Sequence, residues 1–89
     1  MREIALHRKA DKSLDRIPEQ RRDQIFMSIE EVARLDDVLE HVNVKKLSGN
    51  LSEQYRLRVG SYRVVFELRE NGEIEILFIN FIGTRGDAY

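Results

Sequence analysis

Two short alternating segments joined by Gly60-Ser61 constrain this chain more than any other feature: Tyr55-Arg56-Leu57-Arg58-Val59 and Tyr62-Arg63-Val64-Val65-Phe66. Apolar and polar residues alternate with the period of a half-buried strand. A Gly-Ser pair suits a two-residue hairpin turn with glycine at its first central position. Such a turn fixes the register, so that Val59 faces Tyr62, Arg58 faces Arg63, Leu57 faces Val64 and Arg56 faces Val65. Three arginines then share one sheet face, two of them directly opposed. Like charges so placed destabilise a sheet. At roughly 5 Å the repulsion is about 1 kcal/mol in water and about 3 kcal/mol at an effective dielectric near 20. A face that carries this repulsion is suited to holding an anion, and phosphate matches the forked geometry of guanidinium groups. The competing reading is a solvated face neutralised locally. Glu67, diagonal to Arg56, is placed for that, whereas Arg58 and Arg63 have no carboxylate opposite them.

The rest of the chain supplies what this hairpin needs for a core. Its 89 residues make one domain, residues 1–89, with no repeat or linker. Arg2 to His7 alternates and predicts a short first strand. Ala10, Leu14 and Ile17 at helical spacing predict a helix over Lys9 to Ile17, which Pro18 ends. A second helix follows to about Leu35, with Ile25, Ile29 and Val32 along one stripe, flanked by Phe26 and Ala33. Val44 to Leu47 is ambiguous between strand and turn. Asn71-Gly72 is a hairpin signal. As the two central turn residues, they pair Phe66 with Leu77, Val65 with Phe78, Val64 with Ile79, Arg63 with Asn80 and Tyr62 with Phe81. The last strand, Glu73 to Ile82, is apolar on both faces and therefore interior; the first strand is its available second neighbour.

The expected fold class is α+β, an N-terminal strand and an antiparallel helix pair packed on a mostly antiparallel four-stranded sheet. Its core face carries Leu57, Val59, Tyr62, Val64, Phe66, Leu77, Ile79 and Phe81. The opposite face carries Arg56, Arg58, Arg63 and Asn80, bordered by Val65 and Phe78.

Formal net charge is −1, so no global electrostatic argument favours nucleic acid. The distribution is more telling. Residues 45–63 hold Lys45, Lys46, Arg56, Arg58 and Arg63 against Glu53 alone, while both flanking segments are net acidic. A local site of phosphate size fits this better than a broad duplex-binding surface. There is no cysteine, and hence no thiolate or disulfide chemistry. No apolar run approaches the ~18 residues that cross a bilayer, and the charged N-terminus is no signal peptide, so no membrane association and a cytoplasmic location are expected. His7 and His41 stand alone, without metal-ligand spacing. His41 matters only as a neutral base preceding Lys45-Lys46. Tyr55 and Tyr62 fall at core positions. No glycine-rich phosphate loop or metal cluster occurs, and no cofactor or metal is expected. The tail Gly83-Thr84-Arg85-Gly86-Asp87-Ala88-Tyr89 follows the strand bearing Asn80, so Arg85 can fold back over the arginine face.

Lys46-Leu47-Ser48-Gly49, the whole Tyr55–Phe66 hairpin and the Gly83–Tyr89 tail resemble the RelE/ParE superfamily of toxin–antitoxin toxins, and the order strand, two helices, three strands covers nearly the whole chain. Within it, Arg56, Arg58, Arg63, Arg85 and Tyr89 resemble the RelE branch, which cleaves mRNA in the ribosomal A site. The resemblance implies attack of a ribose 2′-hydroxyl on the adjacent phosphate, with Arg63 and Arg85 binding that phosphate. Arg56 and Arg58 match positions often held by lysine, and Tyr89 matches an aromatic that orients the substrate nucleotide. Arginine cannot serve as general base, because its pKa exceeds about 12. Lys45, Lys46 and Asn80 are further candidates for RNA contact. The implied partners are a cognate antitoxin, the ribosome and mRNA, with operator DNA reached only through the antitoxin complex. Two alternatives remain open: a ParE-like poison of DNA gyrase, and an inactive homologue that only binds its antitoxin.

Overall fold

A computed structural model describes residues 1–49 and 53–84. In chain order these form β1 (Glu3–Leu6), α1 (Arg8–Ser13) running into a 3-10 turn (Leu14–Arg16), and α2 (Glu19–Arg34). A second 3-10 turn (Val38–Glu40) precedes β2 (Val44–Lys46), β3 (Tyr55–Val59), β4 (Tyr62–Asn71) and β5 (Ile74–Thr84). The sheet order is β1-β5-β4-β3-β2. Only β1, parallel to β5, departs from antiparallel pairing. The expected α+β class and the interior position of the last strand are both present. The ambiguous segment after Asn43 resolves into β2, a fifth strand at the sheet edge, where Val44 is buried opposite Leu57.

Local chemistry sets the helix limits. The His7 Nδ1 accepts from the Lys9 N–H at 3.0 Å and caps α1. Pro18 stands at the N-cap of α2, where its carbonyl accepts from the Arg21 and Arg22 N–H groups. At the other end of α2, Arg2 donates to the carbonyls of Leu35 and Asp36 and pairs with Glu75 at 3.3 Å. One side chain thereby satisfies carbonyls just beyond the helix and ties them to β1 and β5.

The apolar stripe Ile25, Ile29 and Val32 is buried, as its spacing predicts, and meets Leu57, Val64, Phe66, Leu77, Ile79 and Ile82 from the sheet. Tyr55 stacks on Phe66 with ring centroids 5.4 Å apart, a packing role in line with its core position.

The second hairpin departs from expectation. Its turn residues are Gly72-Glu73, with Asn71 paired to Ile74. The cause is conformational. Asn71-Gly72 as central residues would need φ > 0 at both. Gly72 has φ +64°, and no described non-glycine residue has positive φ. The register therefore moves by two residues, pairing Phe66 with Ile79. A bulge then adds a further residue: Val65 pairs with Phe81, leaving Asn80 extra. Beyond it the facing of β5 is exchanged. Ile82, not Phe81, joins the core opposite Val64, and Arg63 faces Gly83 rather than Asn80. At the far end of the same hairpin, Glu70 stands opposite Glu75.

Candidate anion-binding face

The first hairpin forms in the register its turn predicts: Val59 with Tyr62, Arg58 with Arg63, Leu57 with Val64 and Arg56 with Val65. Gly60 has φ +59°, and a Cβ there would meet nothing within 4 Å, so glycine is required by backbone conformation and not by space. Directly paired residues share a face, so Arg56, Arg58 and Arg63 are brought together. The edge strand adds a fourth cation, because Lys45 pairs with Arg56. Two adjacent rows of the sheet each hold a like-charged pair. Lys46 pairs with Tyr55 on the side of Val44 and Leu57, so the alternation separates it from this cluster.

Among the described residues, none of Lys45, Arg56, Arg58 and Arg63 has a carboxylate within ion-pairing distance. The Arg56 Nε is buried with no hydrogen-bond partner. An unsatisfied buried donor costs about 1–3 kcal/mol, and more when charged. Arg58 and Arg63, with Gly60, Ser61 and Tyr62, line an open cleft of ≈ 250 Å³ at the turn. Among the described residues the face thus offers forked donors without a carboxylate acceptor. That arrangement can grip phosphate oxygens and counter charge that builds on them.

Glu67 does not neutralise Arg56. Its Oε1 pairs with Arg69 at 2.6 Å and accepts from Asn80 Nδ2 at 3.4 Å, while the Arg69 guanidinium lies 3.9 Å over the Phe78 ring. The edge of His7 meets the same ring at 6.3 Å. This second cluster engages the nearest carboxylate, and Asn80 belongs to it through the bulge. Sequence spacing missed the cluster because it depends on the β4–β5 register. His41 is held on both ring nitrogens: Nε2 lies 3.1 Å from Glu31 Oε2, and Nδ1 accepts from the Asn43 N–H at 3.1 Å. Its place is therefore structural. Arg85 and Tyr89 lie outside the described residues. No group of three or more His, Asp or Glu side chains among the described residues is placed to hold a metal ion.

The comparisons with known proteins agree with this fold. A family model described as the ParE toxin of type II toxin–antitoxin system, parDE, matches residues 4–84. No curated protein matches the chain. Among solved structures, the RelB–RelE antitoxin–toxin complex from Methanococcus jannaschii is similar at 27% identity and a TM-score of 0.67, over 91% of this chain and 89% of that one. The archaeal RelE–RelB complex from Pyrococcus horikoshii OT3 is similar at 24% identity and a TM-score of 0.73, over 98% of each chain. The YoeB/ParE toxin from Agrobacterium tumefaciens shares the fold at 12% identity and a TM-score of 0.78, over 93% of this chain and 98% of that one.

Proposed function

The chain belongs to the ParE toxin family of type II toxin–antitoxin systems, within the RelE/ParE superfamily, and on that premise we propose that it is a ribosome-dependent mRNA endoribonuclease. The observation that carries the reading is the opposed pair Arg58–Arg63, without a carboxylate partner among the described residues, beside the unpartnered Nε of Arg56. In the proposed reaction a ribose 2′-oxygen attacks the adjacent phosphorus and the bond to the 5′-oxygen breaks. A cyclic phosphate and a 5′-hydroxyl result, and the 2′-hydroxyl proton ends on the leaving oxygen. Arg58 and Arg63 hold the non-bridging oxygens, whose charge rises in the transition state, and preorganised donors act most strongly there. Arg85 would add a further fork and Tyr89 a stacking surface for the nucleotide. Permanently charged guanidinium groups remove no proton. Catalysis by these arginines therefore rests on charge stabilisation and on substrate geometry imposed by the ribosome.

The partner is a cognate antitoxin, a reading supported by the similar structures from M. jannaschii and P. horikoshii, which are toxin–antitoxin complexes. An acidic segment that folds over the arginine face would neutralise it by placing carboxylates on the forks. Operator DNA would be met through that complex. Among the described residues no helix is long and apolar enough to cross a membrane, and a ribosomal target would require a cytoplasmic location.

A second reading, poisoning of DNA gyrase, is favoured by the family description itself, which names a ParE toxin. Expression of the chain followed by mapping of mRNA 5′ ends, with and without translation, tests the two against each other when gyrase supercoiling is assayed in parallel. Translation-dependent new 5′ ends with normal supercoiling support the nuclease. Blocked supercoiling with intact mRNA supports the gyrase reading.

A further inference from the structure

The four cations of the anion-binding face are all donors. The side chains of Lys45, Arg56, Arg58 and Arg63 have hydrogens to give and no lone pair to receive one. No carboxylate lines the cleft at Arg58 and Arg63, and Glu67, the nearest carboxylate along β4, is taken by Arg69 and Asn80. Inorganic phosphate asks for nothing else. A ribonucleotide does, because its 2′-hydroxyl carries a hydrogen as well as lone pairs, and this group is what separates RNA from DNA.

One side chain in the cleft can meet that demand. Ser61 is the second residue of the β3–β4 turn and lines the cleft together with Arg58 and Arg63. It is exposed, and among the described residues its hydroxyl makes no hydrogen bond. The neighbouring phenol, on Tyr62, belongs to a ring that packs with Val59 against the core, on the opposite side of β4 from Arg63. The turn holds Ser61 without strain, since Gly60 takes the positive φ, +59°, and Ser61 does not.

In the phosphodiester reading the 2′-oxygen attacks the phosphorus held by Arg58 and Arg63, so the 2′-hydroxyl stands beside the two arginines between which Ser61 lies. We propose that Ser61 reads the ribose: its Oγ accepts the 2′-hydroxyl hydrogen and makes the face select ribonucleotides over deoxyribonucleotides. The inference rests on the phosphodiester reading above and adds sugar specificity to it. Ser61 removes no proton. The bond it accepts turns the 2′ O–H away from phosphorus and leaves a lone pair of that oxygen facing it, the geometry an attack needs.

Three probes at matched ionic strength test it on the purified chain: inorganic phosphate, adenosine 3′-monophosphate and 2′-deoxyadenosine 3′-monophosphate, each titrated by amide chemical shifts. The monophosphates have no 5′-oxygen leaving group on phosphorus and stay intact. The ribonucleotide should bind about two- to twelvefold more tightly than the deoxyribonucleotide, the range that one net hydrogen bond supplies. Ser61→Ala, at an exposed turn position that needs no special backbone, should lower the ribonucleotide to the deoxyribonucleotide's affinity and leave the other two probes unchanged. Ser61→Thr keeps the hydroxyl and should keep the preference, whereas Arg63→Ala should weaken all three probes. Equal binding of the two nucleotides to the wild type, or a preference that survives Ser61→Ala, overturns the ribose assignment while the phosphate reading stands. Failure of all three probes to bind overturns both.

Discussion

Lys45 and Arg56 are partners across β2 and β3, one row from the partnered Arg58 and Arg63, so four cations occupy adjoining positions on one sheet face. Opposed like charges normally weaken a sheet. Here they are placed by turn geometry at Gly60-Ser61 and by burial of Val44 and Leu57 behind them, which fixes both registers. The repulsion is therefore built into the free protein, and a bound anion would relieve it.

The first expected outcome concerns that relief. Arg58→Gln should stabilise the free protein by about 0.5–1 kcal/mol at low salt. The gain should fade towards 1 M salt, where the screening length is about 3 Å. Denaturant melts across a salt series measure it. Phosphate at 100 times its dissociation constant should stabilise the wild type by about 2.7 kcal/mol. Arg63→Ala should remove that response at matched ionic strength.

Cleavage should depend on the same residues. Arg63→Ala is expected to slow single-turnover cleavage of ribosome-bound mRNA by about 10²–10³, the loss typical of one preorganised donor to a developing charge. His41→Ala should cleave at the wild-type rate, because both ring nitrogens are committed to Glu31 and Asn43. Equal rates for wild type and Arg63→Ala would overturn the nuclease proposal. Gyrase inhibition surviving that change would favour the second reading.

Arg2 should be a stability residue with no part in the chemistry. Its side chain is 10% exposed, pairs with Glu75 and donates to the carbonyls of Leu35 and Asp36. Arg2→Ala leaves those carbonyls unserved and should cost about 1.5–3 kcal/mol, the range for hydrogen bonds to a charged group. Arg2→Lys should recover only part of this, since an ammonium lacks the fork. Urea unfolding of the three proteins decides it.

The bulge gives a pair of variants. Asn80→Ala removes a 3.4 Å hydrogen bond to Glu67 and should be mild. Deletion of Asn80 would remove the extra residue and leave Phe81 opposite Val65 and Ile82 opposite Val64, still in the core. That variant should therefore still unfold cooperatively, as read by calorimetry, and loss of the transition would show that the bulge itself is needed for packing.

The Gly60-Ser61 turn made the arginine face legible from the sequence, since one glycine with positive φ fixes five residue pairs. The helices were legible too, through the Ile25, Ile29, Val32 stripe and Pro18. The second hairpin was not, because Asn71-Gly72 and Gly72-Glu73 both offer a glycine and differ only in whether Asn71 takes positive φ. The bulge at Asn80 has no sequence mark: Phe81 and Ile82 are equally apolar, and only packing against Val64 selects Ile82. The error displaced Asn80 from the site and left the arginines in place, because their register is set by the other turn. β2 was hidden by its brevity, and with it the partnership of Lys45 and Arg56.

The pair Glu70–Glu75 has a consequence of its own. It lies at the opposite end of β4 from Arg63, seven residues or about 23 Å away. Arg2 answers Glu75, but Glu70 and the turn residue Glu73 have no ion-pair partner among the described residues, so a chain whose formal charge is only −1 carries its charge unevenly along one strand. Near a polyanion it experiences a torque more than a net pull, with its glutamate end turned outward and its Gly60 tip turned in. Orientation precedes contact, and the rate of productive encounter is governed by alignment rather than by bulk attraction.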